Sequence, residues 1–404
     1  MRILLLTPQL PYPAHQGAAI RNDSILRGLG GRHEVALLSF RGAEDQEALR
    51  HLSDYCRHIQ TVPISPWTGL KRLRSLLLSG RPDLALRLAT PAFRAALRKM
   101  QATAGPFDIV QIEGLELAGN LGHIRLAAPH CRIVLDSHNA ETTLQARALR
   151  HDLGRPRRWP AALYSAIQVW RLAQFERWAC RKADWVTAVS QADAEALRRL
   201  AAIDRLSVIP NCLDVASYRP ELFPNPPRFD LVFSGKMDYR PNVDAALWFH
   251  ATVWPQIRRA RPDARWAVVG QRPHTRLRPL KDSPGVVVTG RVEDVRPYLA
   301  GAGVYILPIR YGGGSRLKLL EAMAMGKAIV TTSAGAEGFD VRAGRDLWLA
   351  DAADEFAAAV GRLLGDPVER RRLGEGGGAF ARQYDWRRVI PRFDEVYRRL
   401  KPTT

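Results

Sequence analysis

Short, almost wholly apolar runs alternate along the chain with longer stretches in which apolar residues return every three or four positions. The runs at 1–7, 34–40, 107–112, 132–136, 184–189 and 206–210 read as buried strands in the first half. Those at 229–233, 265–269, 286–289, 304–308 and 328–332 repeat the pattern in the second. Between them, helices are predicted over 18–29, 163–182, 190–200, from 242 to about 261, 295–300 and 386–400, with Ser190 capping its helix and the aromatics of 163–182, including Trp170, in a core. Strands that are apolar throughout are covered on both faces, and helices between successive strands supply the cover. The chain is therefore predicted to be α/β, with two doubly wound, Rossmann-like domains facing each other across a cleft.

The proline-rich stretch 218–228 (YRPELFPNPPR) reads as a linker. The expected domains are 1–205, 206–385, and a C-terminal helix over 386–404 that crosses back to the first. At 404 residues and 46% apolar, the chain is long enough for two cores. A formal charge of +20 points to an anionic partner: a nucleotide, a phospholipid surface or nucleic acid. Arginine is spread along the whole chain, so part of that charge is compositional. The Leu/Arg-rich segment 67–100 reads either as helices lying on a membrane or as packed surface helices with snorkelling arginines. Cys56, Cys131, Cys180 and Cys212 form no CxxC pair, which fits a reduced, cytoplasmic setting. No apolar run approaches the ~18 residues of a membrane span, and the N-terminal run is too short for a signal peptide.

Chemistry concentrates at 304–332, which reads as strand, triple-glycine loop, helix and strand. With Ser315 as the expected cap, Arg316 and Lys318 fall in the first helical turn, where the helix dipole disfavours cations. A bound anion removes that conflict, and glycine-loop N–H groups, a helix N-terminus and two cations make a phosphate-sized socket. Glu321 lies among apolar one-turn neighbours, so it needs a polar partner. The plainer alternatives are a solvated glycine loop and an internal Lys318–Glu321 ion pair. Two further places stand out: Gly17 at a helix N-terminus after a proline-containing loop, and Ser137-His138-Asn139-Ala140-Glu141, polar groups at the carboxyl end of a parallel strand.

In order and spacing, several short motifs resemble those of GT-B glycosyltransferases of family 4, which are retaining and nucleotide-sugar-dependent. They are Gly17, 137–141, Val189-Ser190, Ile209-Pro210-Asn211, Ser234-Gly235-Lys236-Met237, Gly290-Arg291-Val292 and 308–326. The resemblance implies a donor site of Gly17, Lys236, Arg240, Gly290, Val292, Gly313, Gly314, Ser315, Arg316, Leu317, Lys318 and Glu321. It implies a catalytic set of His138, Arg316, Lys318 and Glu321, with Asn139 and Glu141 on the acceptor side. Two departures from the family pattern stand out. Gly313 occupies the position of the first of two glutamates eight apart, of which Glu321 is the second. Lys236 replaces the family's loop arginine, and Pro241 its lysine, with Arg240 the nearest cation.

The nearest acidic pair, Asp193-Ala194-Glu195, falls in a predicted helix, so neither a metal nor another cofactor is expected. The implied activity moves a sugar from a nucleoside-diphosphate sugar to a glycan or lipid-linked acceptor in cell-surface polysaccharide assembly. That work would take place in the cytoplasm, with peripheral contact to an anionic membrane and no nucleic acid. Two rivals are carried: a nucleotide-sugar 2-epimerase of the same fold, and a basic nucleic-acid-binding protein. Against the latter, no helix-turn-helix, zinc-finger spacing or RNP-like aromatic strand is visible.

Overall fold

The computed structural model describes residues 1–404 except 15, 16, 43–45, 154–158 and 402–404, so the end of the proline-rich loop before Gly17 lies outside the described residues. The chain divides into two compact units, Met1–Asn211 with Arg387–Thr404, and Cys212–Trp386. The first break lies beyond the expected 205/206 because the chain after the last strand of unit 1 stays anchored there: backbone carbonyls of Ile209 and Pro210 accept hydrogen bonds from Arg21.

Unit 1 is built on a seven-stranded sheet of order β3-β2-β1-β4-β5-β6-β7, all neighbours parallel. Its strands are β1 (Arg2–Thr7), β2 (Glu34–Arg41), β3 (His58–Pro63), β4 (Ile109–Glu113), β5 (Arg132–Ser137), β6 (Trp185–Ala188) and β7 (Leu206–Val208). β3 escaped the sequence reading because it is an edge strand whose residues are mostly half-buried and polar. The helices that matter are α1 (Gly17–Gly30), α2 (Gly69–Leu78), α3 (Asp83–Arg87), α4 (Pro91–Ala104), α5 (Glu141–Leu153), α6 (Trp159–Lys182) and α7 (Gln191–Ala201). In α4, Phe93, Leu97 and Met100 are buried, and Phe93 stacks on Phe40 of β2. This part of 67–100 is thus a packed helix. α2 differs, with Leu77 and Leu78 exposed. Phe175 of α6 is buried and stacks on Trp178, but Trp170 is 63% exposed, so it is not core as expected.

Unit 2 holds a six-stranded parallel sheet of order β10-β9-β8-β11-β12-β13. Its strands are β8 (Phe229–Ser234), β9 (Trp266–Val269), β10 (Val286–Gly290), β11 (Ala302–Leu307), β12 (Ile329–Thr331) and β13 (Trp348–Leu349). Helix α8 (Arg240–Trp248) runs through a π turn, Phe249–Val253, before Trp254–Ala260. Pro255 accounts for the wide turn, since it lacks an N–H and crowds the carbonyl four residues back.

α9 (Leu317–Ala324) joins β11 to β12, followed by α10 (Ala353–Gly365) and α11 (Pro367–Ala381). The stretch 218–228 is not simply a linker: Tyr218 ends a 3-10 turn, Val215–Tyr218, and is buried within unit 2. The segment expected as one helix over 386–400 breaks before Pro391 into Trp386–Val389 and α12 (Pro391–Leu400). α12 buries Phe393, Val396 and Tyr397 within unit 1. Among the described residues, no helix is long and apolar enough to cross a membrane.

Candidate functional site

In unit 2, the glycine loop turns into α9 one residue later than expected. Arg316, not Ser315, is the N-cap, and no side chain caps the helix. The first turn also contains no acidic residue. The Leu319 N–H turns back to the Arg316 carbonyl at 2.8 Å, and no side chain caps the N–H groups before it. Arg316 is buried and folds back so that its Nη1 donates to the Gly313 carbonyl at 2.8 Å. Gly314 and Ser315 complete the loop, and Leu317 is buried under it.

Lys318 lies in the next position of that turn. Its Nζ donates to Asn242 Oδ1 at 2.8 Å and sits 5.2 Å from the centre of the Phe233 ring. Gly235 gives it room: a Cβ there would lie 2.4 Å from Nζ. Although the side chain as a whole keeps some exposure, burial of the ammonium lowers its pKa to about 7, with the Arg316 charge adding to the effect. Asn242 also donates from Nδ2 to the Lys236 carbonyl at 2.8 Å, so one amide ties the β8 loop to α9.

Glu321 has its polar partner, but not the one weighed beforehand: Tyr218 Oη donates to Glu321 Oε1 at 2.8 Å. Burial raises the Glu321 pKa despite the Tyr218 bond and the Lys318 charge, which both favour the carboxylate. The internal Lys318–Glu321 pair does not form; each has a different partner.

The other expected donor residues are less tightly gathered. Lys236 points its ammonium toward Asp238, 3.6 Å away, and is partly exposed. Arg240 is the exposed first residue of α8. Gly290 closes β10 with φ of 73°, and Val292 is half-buried beyond it. Gly17 is the exposed first residue of α1, in unit 1 rather than unit 2.

In unit 1, the carboxyl ends of β4 and β5 hold a buried polar network. Asp136 receives Arg21 Nε at 2.8 Å and Nη2 at 3.0 Å, and Thr187 Oγ1 at 2.5 Å. Burial raises the Asp136 pKa, but the Arg21 charge and hydrogen bonds outweigh it and bring it to about 2. His138 Nε2 lies 3.0 Å from Glu113 Oε2 and 3.7 Å from Asp136. Gln111 Nε2 donates to Glu113 Oε1 at 2.6 Å, and Tyr397 of α12 donates to Gln111. A continuous chain of hydrogen bonds thus runs from the C-terminal helix to His138.

Burial and the Asp136 charge raise the Glu113 pKa to about 7, against the stabilising contact with His138. Burial lowers the His138 pKa, but the Glu113 bond and the two carboxylate charges overcome it, and the net shift is upward. The pair therefore keeps a shared proton into the neutral range.

The loop that carries His138 is pinned on several sides. Asp193 accepts the Ala140 N–H at 2.9 Å and is itself bonded to the α7 cap Ser190. Ser137 Oγ donates to the Asn139 carbonyl. Glu176 of α6 accepts the N–H groups of Glu141 and Thr142 at the start of α5, at 2.8 and 2.9 Å. Asn139 Nδ2 donates to Glu141 Oε1 at 3.0 Å, and burial lifts the Glu141 pKa to about 7.

Sequence reasoning missed Arg21, Glu113, Asp136, Tyr218 and Asn242. A signal existed for Glu113 and Asp136, which end apolar strands where α/β sheets place their chemistry. For Arg21 the signal was a cation inside the apolar stripe of α1.

Ligand atoms of Glu113, Asp136 and His138 all lie within 4.8 Å of one another. Both Asp136 oxygens and both Glu113 oxygens already have hydrogen-bond partners, so a cation would have to displace the Arg21 guanidinium. As it stands the cluster is an ion-paired, proton-sharing network.

Profiles of known families match both halves of the chain. "Glycosyltransferase Family 4" covers residues 15–217, and "Glycosyl transferases group 1" covers 228–366. The chain is 40% identical over 110 residues to the MMP alpha-(1->4)-mannosyltransferase of Mycolicibacterium hassiacum, 26% of each chain. It is 30% identical over 206 residues to the phosphatidyl-myo-inositol mannosyltransferase of Mycobacterium tuberculosis, 47% of this chain and 53% of that one. The matched part thus spans about a quarter and about half of these relatives. Among solved structures, Anabaena HepE in complex with UDP and glucose aligns with a TM-score of 0.67 at 17% identity, over 99% of this chain and 100% of that one.

Proposed function

The chain belongs to glycosyltransferase family 4, and from that premise we propose that it transfers a sugar from a nucleoside-diphosphate sugar to a glycan or lipid-linked acceptor. The observation that carries this reading is the start of α9: a helix N-terminus without a side-chain cap, entered by a glycine loop and flanked by Arg316 and Lys318. Those N–H groups and cations meet the need of the reaction, which is to stabilise negative charge on the departing diphosphate. Glu321, placed by Tyr218, is a hydrogen-bond acceptor suited to ribose hydroxyls. The solved HepE complex with UDP supports a nucleoside diphosphate as the ligand class.

In this reading the transfer needs no metal, because preorganised cations and amide dipoles supply the charge stabilisation. Transfer proceeds with retention, the acceptor attacking from the face of the leaving group. His138 hydrogen-bonds the donor sugar from the pinned loop after β5, with Asn139 and Glu141 on the acceptor side. A lipid-linked acceptor is supported by the relative named as acting on phosphatidyl-myo-inositol and by the exposed leucines of α2. Polysaccharide or glycolipid assembly at an anionic inner membrane face is the setting these features fit.

A thermal-shift screen against UDP, GDP, ADP and dTDP sugars tests the donor reading. A rise in melting temperature with one base family is expected. Failure of every nucleotide to shift it at millimolar concentration would overturn the proposal. Sedimentation with anionic liposomes at low salt tests the membrane part, where a wholly soluble chain is the contrary result.

A further inference from the structure

Among the described residues, two that are not glycine have a positive φ, Ala202 at 50° and Arg272 at 55°. Ala202 closes helix α7, where a left-handed residue is ordinary. Arg272 ends no helix. It lies in the loop after β9 and precedes Pro273, a neighbour that favours extended backbone in the residue before it. A left-handed arginine there is strained, and strain of this kind is kept where the surrounding structure over-determines it, most often at ligand sites. Building on the transferase reading, we propose that Arg272 is a further donor-binding residue, a cation that meets the diphosphate in place of the lysine that the family pattern puts at position 241.

The loop's position supports the assignment. β9 pairs with β8 in parallel, so the loops after both leave the same end of the sheet. They pack directly on each other, since a Cβ on Gly270 would lie 1.7 Å from the Gly235 carbonyl oxygen. Two backbone hydrogen bonds then bracket Arg272: the Gln271 carbonyl accepts from the Met237 N–H at 2.9 Å, and the His274 N–H donates to the Met237 carbonyl at 3.0 Å. Gly235 is also the residue against which Lys318 Nζ lies. Arg272 is therefore one loop away from the start of α9.

The balance of charge supports it too. Asp238 faces two cations, with Lys236 Nζ 3.6 Å from Oδ1 and Arg272 Nη1 3.9 Å from Oδ2. Both distances exceed hydrogen-bond reach, and Asp238 Oδ1 is buried with no hydrogen-bond donor among the described residues. Asp244, by contrast, takes two hydrogen bonds from Arg310 at 3.0 and 2.8 Å. Two cations that share one loosely held carboxylate leave positive charge over. The Arg272 side chain is 71% exposed, so its fork stays open to a phosphate, which it can meet with two parallel N–H groups.

Calorimetry on the full chain tests this, with UDP, GDP, ADP and dTDP, the matching nucleosides, and inorganic diphosphate as probes. Arg272→Gln is expected to weaken the nucleoside diphosphate that binds by about tenfold and its nucleoside by less than about twofold. Arg272→Lys, which keeps the charge and loses the fork, should fall between. Arg272→Gly removes the strain together with the cation, so it should bind like Arg272→Gln and melt no lower than wild type. Arg276→Gln, at an exposed arginine four residues on, should leave binding as it was, which excludes a general effect of net charge.

Arg272→Gln that binds nucleoside diphosphate as tightly as wild type overturns the assignment and leaves the donor reading intact. So do equal losses for nucleoside and diphosphate, or losses that follow a lower melting temperature in both Arg272→Gln and Arg272→Gly, because either makes Arg272 a structural residue of its loop. Inorganic diphosphate separates the two readings from the other side. If it binds in an Arg272-dependent way while no nucleoside diphosphate binds the wild type, the donor reading falls and the cation site stands; if neither binds, both fall.

Discussion

Arg21 and Asp136 are joined by two hydrogen bonds inside unit 1, with side chains 1% and 0% exposed. The guanidinium also reaches the carbonyls of Ile209 and Pro210. One buried fork therefore ties α1, β5 and the chain leaving β7. Removing one partner leaves the other charge buried without compensation, which costs about 3–5 kcal/mol. Arg21→Leu and Asp136→Asn are each expected to lower the unfolding free energy of unit 1, read from the shift of its urea midpoint, by that order. An unchanged midpoint in both would show that the pair contributes no net stability.

The pKa directions in the same network set a pH dependence. Glu113 is held at about 7 in the fold, against 4.5 when unfolded, and Glu141 behaves alike. Between those values the native state holds protons the unfolded chain has released, so stability falls as pH rises from 4.5 to 7. His138, raised above 6.5, loses its contribution in the same direction as pH passes its folded value. Asp136, lowered to about 2, acts oppositely and only in acid, its contribution lost as pH falls from 3.8. The stability of unit 1 is expected to be highest near pH 4 and to decline toward pH 7. Each proton changes the slope by roughly 1.4 kcal/mol per pH unit at most. Glu113→Gln should flatten the decline, and an unaltered profile in that variant would contradict the assignment.

The link from α12 to His138 is tested separately. Tyr397→Phe removes the donor to Gln111 and leaves a buried amide oxygen unsatisfied, a loss of about 1–3 kcal/mol. Because Gln111 positions Glu113, the variant is also expected to shift the His138 imidazole resonances in long-range nitrogen–proton spectra. A purely structural role would lower stability and leave those resonances where they were.

The fold was largely legible because buried strands are apolar throughout and show in any window, as 304–308 and 132–136 did. What failed to show has physical reasons. α11 contains GEGGG, which reads as a loop. It is helical, and the glycines are there because other backbone passes close by: a Cβ at Gly374 would lie 2.2 Å from the Gly326 carbonyl oxygen, and one at Gly376 2.1 Å from that of Arg345. No local pattern reveals a tertiary approach of that kind. Likewise the dipole conflict at Arg316 and Lys318 was visible in sequence, whereas their partners were not. Asn242 is 76 residues from Lys318, and Tyr218 is 103 from Glu321. Tyr218 was assigned to a linker because its neighbours are prolines.

Lys318 should make donor binding sensitive to pH. Burial, with Arg316 adding to it, holds its pKa at about 7, far below 10.5. A diphosphate favours the charged ammonium, so binding above pH 7 takes up a proton, and affinity falls by up to about tenfold per pH unit. Calorimetry in buffers of different ionisation enthalpy reads the proton directly. Asn242→Asp places a carboxylate against the ammonium and should raise its pKa, removing the proton uptake while weakening diphosphate binding. Binding with no proton linkage at pH 8 in the wild type would show that Lys318 stays clear of the anion.

The last expectation separates the roles of cation and carboxylate at α9. Lys318 donates to Asn242 and Glu321 accepts from Tyr218, so the two are not an ion pair whose loss would affect all ligands alike. If Lys318 meets the diphosphate while Glu321 meets the ribose, Lys318→Ala weakens nucleoside diphosphate far more than nucleoside. Glu321→Ala then weakens both. A hydrogen bond to a charged group is worth roughly 1.5–3 kcal/mol, or about tenfold to a hundredfold in affinity, which calorimetry resolves. Tyr218→Phe should resemble a mild Glu321→Ala, since it frees the carboxylate without removing it. Equal losses for nucleoside and nucleoside diphosphate in Lys318→Ala, together with a lower melting temperature, would mean that this lysine holds the β8 loop against α9 and never touches the phosphates.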